Sequence, residues 1–232
     1  MSLFLPIQIH PEGWRFIGIF AVLAFALFFV AQPLGFLGLT LTAWCAYFFR
    51  NPKRITPMKE GLIVSPADGI VCAIKTVIPP PELEMGTAPR LRISIFLNVF
   101  DVHVNRIPIG GKIIKSIYRP GKFLNAALDE ASDHNERQTL VIEVANSTKV
   151  AVVQIAGLIA RRIICDAKQE DTVGTGAIFG LIRFGSRTDI YLPEEVYPLI
   201  IEGQRMVGGE TVIADLTVKE TSEKNLREGI CH

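Results

Sequence analysis

Charge of one sign is missing from this sequence: 24 Lys and Arg stand against 23 Asp and Glu, a formal net charge of +1. A nucleic-acid-binding chain would carry a basic excess interleaved with aromatics, so that class is set aside. Cysteine is scarce as well. Cys45, Cys72, Cys165 and Cys231 are scattered without a CxxC or any paired spacing. They point to neither a zinc site nor a disulfide framework, and fit reduced thiols facing a cytosol. No metal is expected. Repeats of roughly 20–50 residues are absent, which argues against a solenoid. No G-x-S-x-G elbow occurs, nor the alternation of strands and helices that an elbow-type hydrolase fold needs. One further absence is local: residues 16–49 contain no charged side chain.

That uncharged stretch carries much of the chain's positive mean hydropathy of +0.34. Residues 16–31 read FIGIFAVLAFALFFVA and residues 34–49 read LGFLGLTLTAWCAYFF, with Gln32 and Pro33 between them. Each run is a little short of the roughly 20 residues that cross a bilayer upright. A buried core helix is the ordinary alternative. A cleaved signal peptide fits less well, because the N-terminus is not basic and no small-residue cleavage site follows. The expectation is a tight helical hairpin over residues 1–50 that spans a membrane or dips into one leaflet. Trp14, Trp44 and Tyr47 are its interfacial aromatics. The segment RNPKRITPMK comes next, bringing Arg50, Lys53, Arg54 and Lys59. A basic flank of this kind marks the cytoplasmic side and attracts anionic headgroups. Residues 51–232 are therefore expected on the cytoplasmic face of the cell inner membrane.

After Pro57 the pattern changes to short β-rich runs with turn residues between them. GLIVS, GIVCAIKTVI, RLRISIFLN, GKIIKSIYR, TLVIEVA, KVAVVQIAG, RRIIC, FGLIRFG, DIYLP and ETVIADL are the clearest. Many alternate polar and apolar residues, as half-buried strands do. IPPPELEMGTAP reads as a Pro-rich surface loop, and GKFLNAALDEASDHNERQ as a polar loop or short helix. The fold class expected is mainly β: a β-barrel or sandwich with a few short helices, preceded by the apolar helical hairpin.

Three places hold reactive groups that strand patterning does not explain. SPADG contains Asp68 before a glycine, ordinarily a turn former. FLNVFDVHVNRIP sets Asp101, His103 and Asn105 at a spacing of two, on one face if the segment is a strand. Burying such groups without partners is costly. His103 is the best candidate for proton transfer, with an ordinary pKa near neutrality. The third place is Gly185-Ser186 in RFGSRTD, which is ordinarily just a turn.

Asp68, His103 and Ser186 together fit two kinds of chemistry. One is a membrane serine peptidase or hydrolase, since triads recur in several chain orders. The other uses the chain's own backbone: Ser186 Oγ attacks the Gly185 carbonyl, with an imidazole or carboxylate accepting its proton. Glycine before the serine leaves the attack open and tolerates an unusual backbone conformation. The ester formed can lose its carboxylate by β-elimination, and the dehydroalanine left behind hydrolyses to a pyruvoyl group. Such a carbonyl takes an amine as a Schiff base and serves as an electron sink. A non-catalytic membrane-anchored β-domain, such as a lipoyl-like carrier or an adaptor, is a third reading. It leaves the polar DVHVN face unexplained.

SPADG, DVHVNR, PGKF…NER and RFGSR, in this order, resemble the short bacterial form of phosphatidylserine decarboxylase. The resemblance covers nearly the whole chain. It implies a proenzyme that cuts itself between Gly185 and Ser186, giving a β chain of residues 1–185 and an α chain of residues 186–232 that stay together. It implies a covalent pyruvoyl cofactor made from Ser186, with Asp68 and His103 serving in self-cleavage and His103 also in decarboxylation. The implied substrate is phosphatidylserine in the membrane, the products phosphatidylethanolamine and CO2, and the assembly a homodimer. Asp101 matches an acidic position that could orient His103. Asn135, Glu136 and Arg137 match a family motif. Arg137, Arg161 and Arg162 suit a lipid phosphate, and Phe123 and Leu124 an acyl chain. Longer members of the family carry a second histidine three residues after the first and an LGST-type cleavage site. Here those places read Arg106 and FGSR, so the division of labour between two histidines does not transfer.

Overall fold

The structure is a computed structural model, and it describes residues 8–124, 126, 134–144, 147–158, 162–183 and 185–217. Arg161, Cys231 and His232 lie outside the described residues. The chain opens with β1 (Gln8–Ile9), α1 (Gly13–Phe28), α2 (Gln32–Phe48) and β2 (Arg50–Asn51). β3 (Leu62–Val64), β4 (Gly69–Val77), β5 (Arg90–Leu97), β6 (Val104–Arg106) and β7 (Gly111–Arg119) follow. Then come β8 (Arg137–Glu143), β9 (Lys149–Ala156), β10 (Ile163–Cys165), β11 (Thr172–Val173) and β12 (Ile178–Ile182). β13 (Ser186–Pro193), β14 (Arg205–Met206) and β15 (Val212–Asp215) complete it.

The fold is mainly β, as the alternating runs require. Eight strands form one antiparallel sheet in the order β11-β7-β8-β9-β13-β5-β4-β14. It curls as a half-barrel with two open ends, neither a closed barrel nor a symmetric sandwich. β13 lies inside this sheet, hydrogen-bonded to β9 on one side and β5 on the other. A three-stranded sheet, β10-β12-β6, is the second layer. The largest core cluster contains Ile63, Val71, Ile93, Ile95, Leu97, Ile190, Leu192 and Ile213, all essentially inaccessible.

Two local readings change. The hairpin turn falls at Phe29–Ala31, and Gln32 and Pro33 open α2 instead of separating the helices. A proline in the first helical turn has no intrahelical partner to lose, so the helix begins there. The helices cross closely because Gly38 has no side chain: a Cβ there would lie 2.7 Å from Ala24 Cα. The Pro-rich segment is not a free surface loop. Leu83 and Met85 are buried in a cluster with Val141, Val153, Ile155 and Tyr191.

Candidate active site

β13 begins at Ser186, and the residue before it sets the geometry. Gly185 has φ +63°, a left-handed conformation that a side chain disfavours. Ser186 is therefore no turn residue; it is the first residue of a strand buried on both sides. Its Oγ is fully buried and has no hydrogen-bond partner among the described residues. A buried hydroxyl without a partner costs free energy and calls for a reason beyond packing.

Ser186 is paired with Ala156 of β9 and Leu97 of β5, and directly opposed residues share a face. Thr188 and Gln154 continue that face, and Asn105 reaches onto it from the second sheet. Gln154 Nε2 donates to Asn105 Oδ1 at 2.8 Å, and Asn105 Nδ2 donates to Thr188 Oγ1 at 3.4 Å. The next residue, Arg187, faces the other way, where it forms a fully buried ion pair with Asp189 at 2.9 Å.

His103 is fully buried and precedes β6. Its Nδ1 lies 3.0 Å from the backbone carbonyl of Asp101. A carbonyl only accepts, so Nδ1 carries the proton and Nε2 presents a lone pair. That lone pair accepts the Gly185 N–H at 3.3 Å. The imidazole thus rests on the residue whose carbonyl would be attacked. The Phe48 ring covers it, with ring centroids 4.3 Å apart. Burial pushes the His103 pKa down to about 4, against weaker upward pulls from the Asp101 carbonyl and carboxylate. The near-neutral value expected from sequence is corrected: His103 is a neutral base at pH 7.

The segment carrying Asp101 and His103 is not one strand. β5 ends at Leu97, residues 98–101 turn, and only Val104–Arg106 is a strand. The turn is held by the Asp101 carboxylate, which accepts the Asn98 N–H at 2.9 Å and pairs with Arg205 at 2.5 Å. Asp101 therefore orients His103 through its main chain, with its carboxylate engaged elsewhere. Asp68 does not hydrogen-bond His103 either. Its carboxylate pairs with Arg54 at 2.7 Å and accepts the Gly208 N–H at 2.8 Å. Burial raises its pKa more than Arg54 and the Gly208 N–H lower it. Asp68 precedes β4, two strands from Ser186 across β5, or roughly 10 Å at ordinary strand spacing. A serine-hydrolase triad needs a carboxylate on Nδ1, and here Nδ1 has a carbonyl instead.

Asn135 receives a role that sequence did not give it. Its Oδ1 accepts the Leu124 N–H at 2.9 Å, and its Nδ2 donates to the carbonyls of Leu124 at 2.8 Å and Ala156 at 2.7 Å. It clamps a loop onto the end of β9, beside the partner of Ser186. Arg137 is a correction. It opposes Ile155, which opposes Arg187, so it lies on the sheet face away from Ser186. It is buried and paired with Glu82 at 2.5 Å, which commits its guanidinium to an ion pair on that face. Arg162 is exposed. Arg106, at the place of the second histidine, donates to Gly176 O, Asn51 Oδ1 and Pro52 O, pinning the segment after α2. Sequence reading missed Gly157, Phe48 and Arg205. An apolar residue at the end of a helix and a glycine at the end of a strand carry no chemical signal of their own.

The hairpin leaves many apolar side chains uncovered, among them Val22, Phe25, Phe29, Val30 and Phe36, each more than 60 % exposed. Among the described residues, no helix is long and apolar enough to cross a membrane. At its base the hairpin joins the domain: Cys45, Phe48 and Phe49 form one core with Val102, Val104 and Leu181. Of the basic flank, Arg54 is paired with Asp68 and Lys59 with Asp215. Arg54 is thereby withdrawn from the surface, whereas Lys59 stays exposed.

The sequence model of the family described as phosphatidylserine decarboxylase matches residues 41–214. A phosphatidylserine decarboxylase proenzyme of Cereibacter sphaeroides is 58% identical over 211 residues, 91% of each chain. Proteins of the same name from Paramagnetospirillum magneticum and Rickettsia africae are each 54% identical. The first covers 95% of this chain and 92% of its own length, the second 93% of both.

Proposed function

Because the chain belongs to the phosphatidylserine decarboxylase family, and because Ser186 Oγ is buried without a partner beside a left-handed glycine, we propose that it is made as a proenzyme, cuts itself at Gly185–Ser186 and decarboxylates phosphatidylserine at a membrane surface. The observation that carries the reading is the position of His103 Nε2 on the Gly185 amide.

Ser186 Oγ attacks the Gly185 carbonyl carbon and gives its proton to a base, the neutral Nε2 of His103, once that lone pair lets go of the Gly185 N–H it accepts at rest. The C–N bond breaks, the nitrogen takes a proton, and the two residues are joined by an ester. Loss of the Ser186 α-proton and cleavage of the Cβ–Oγ bond then release Gly185 as a carboxylate. The dehydroalanine at the new N-terminus adds water and expels ammonia, leaving the pyruvoyl. The surroundings of Ser186 suit this group. They hold an orphaned oxygen at the reacting position, and a Cβ on Gly185 would meet nothing within 4 Å. When formed, the pyruvoyl supplies a ketone that condenses with the substrate amine and accepts the electrons released with CO2. His103 is the group placed to carry the proton back, once it has taken one up. Asp68 is the carboxylate proposed to assist self-cleavage, through its hold on Arg54 and Gly208. After the cut, β13 remains paired on both edges, which keeps the α and β chains together.

A lipid substrate must be taken from a bilayer, and the exposed apolar faces of α1 and α2 suit burial there. Lys53 and Arg50 at the base of the hairpin place positive charge at the headgroup level.

Intact mass of the denatured protein tests the reading. Two chains divided at Gly185–Ser186, the smaller lighter by an ammonia and heavier by nothing else than its plain serine form requires, are expected. CO2 should be released from phosphatidylserine vesicles. A single chain that reacts with a fluorophosphonate would restore the serine-hydrolase reading.

A further inference from the structure

Gly157 directly follows β9 and stands one rung beyond the Ser186–Ala156 pair, where β9 and β13 stop pairing. A Cβ built on Gly157 would overlap the carbonyl oxygen of Gly185 and lie 3.0 Å from its carbonyl carbon. No backbone strain explains a glycine here, because no left-handed φ is involved. What it provides is the bare Cα against which the Gly185 carbonyl rests. We infer that Gly157 is a positioning residue for self-cleavage, its missing side chain fixing the carbonyl where Ser186 Oγ can reach it. This rests on the self-cleavage reading above and adds a residue to it.

Three contacts then define the scissile carbonyl. On the amide side, His103 Nε2 holds the Gly185 N–H. On the strand side, Ser186 is fixed by pairing to Ala156 and Leu97. Across from them Gly157 sets how far the carbonyl can lie toward β9. An alanine at 157 would force the oxygen back by about 1 Å to reach ordinary contact. Displacements of that size at a reacting centre cost on the order of 100-fold in rate. The same Cβ would lie 3.3 Å from Ala126 Cβ, a tight contact whose neighbour belongs to the clamped loop. Ala126 is itself fixed, its carbonyl accepting from Arg187 Nη1 at 3.1 Å.

The experiment compares the full-length chain with Gly157→Ala, Gly157→Ala/Ala126→Gly and Gly174→Ala, following cleavage by intact mass and folding by thermal midpoint. The paired variant relieves the crowding at Ala126 and keeps the overlap with the Gly185 carbonyl. Gly174, whose Cβ would meet nothing, is the control. Expected are complete cleavage of wild type and Gly174→Ala, and cleavage slowed at least 100-fold in both Gly157 variants, with the paired variant folded. Early samples of wild type treated with hydroxylamine should show Gly185 hydroxamate from the intercepted ester, and those of the Gly157 variants far less at a thermal midpoint that shows them folded. Wild-type cleavage rates in the folded paired variant would overturn the proposal. An uncut wild type would instead remove the self-cleavage reading itself.

Discussion

The ring of Phe48 lies 4.3 Å from the imidazole of His103, centroid to centroid, tilted by 37°. Phe48 is the last residue of α2, so the apolar hairpin forms one wall of the site. It is also fully buried in the core that joins hairpin and sheet. The hairpin is thereby part of the environment that keeps His103 neutral.

Replacing that wall should change the pH dependence. Phe48→Leu admits water to His103 and lets its pKa rise from about 4 toward the ordinary 6.5. The acid limb of the self-cleavage profile should move upward by a unit or so, with about 1 kcal/mol of stability lost; Phe48→Ala would cost roughly 3–5 kcal/mol. Single-turnover cleavage measured between pH 4 and 8 checks it, and an unmoved limb counts against the contact.

His103 should also mark the stability curve. Its folded pKa is below its unfolded value, so between pH 6.5 and about 4 the unfolded chain binds a proton that the folded chain does not. Stability tied to this group is complete above 6.5 and is lost as pH falls through about 4. The loss is on the order of 3 kcal/mol. Urea titrations should show that acid-side fall in an uncleavable Ser186→Ala background and a smaller one when His103→Gln is added.

Asn135→Ala should unfasten the loop at Leu124 from Ala156. Three hydrogen bonds go, and two of the freed backbone groups are only partly buried. A cost of about 2–3 kcal/mol is expected, with faster limited proteolysis near residue 124 and slower self-cleavage. Unchanged proteolysis would show that the loop is held by something else.

Arg137 separates a structural from a substrate role. Removing it leaves Glu82 with Arg119 as its remaining cation, so Arg137→Ala should destabilise by about 1.5–3 kcal/mol. The KM for phosphatidylserine in vesicles should stay within about twofold, because the residue lies on the far face of the sheet. A large KM increase at preserved stability would reinstate it as a phosphate ligand.

Asp68→Asn keeps an acceptor for the Gly208 N–H and loses the ion pair with Arg54. Cleavage should slow by tenfold or more, and the thermal midpoint should fall because Arg54 loses its carboxylate in a mostly buried place. Intact mass over time measures it; normal cleavage would remove Asp68 from the self-processing machinery.

The chain's local patterns determined a good deal. Uncharged runs at residues 16–31 and 34–49 specify two helices, because a helix satisfies its backbone hydrogen bonds within one apolar segment. Period-two alternation specifies a mainly β domain, and polar groups inside apolar runs single out His103, Asp101 and Ser186. Tertiary structure alone decided how these groups act. Strand register placed Arg137 on the far side of the sheet from Ser186. A turn at residues 98–101, invisible in an alternating sequence, gave His103 a carbonyl partner in place of a carboxylate. Burial under Phe48, which depends on a helix 55 residues earlier, turned a near-neutral imidazole into a low-pKa base. Gly157 meets Gly185 only because two distant segments end their pairing side by side. Side-chain identity is written locally; pKa, orientation and contact depend on what the fold brings alongside.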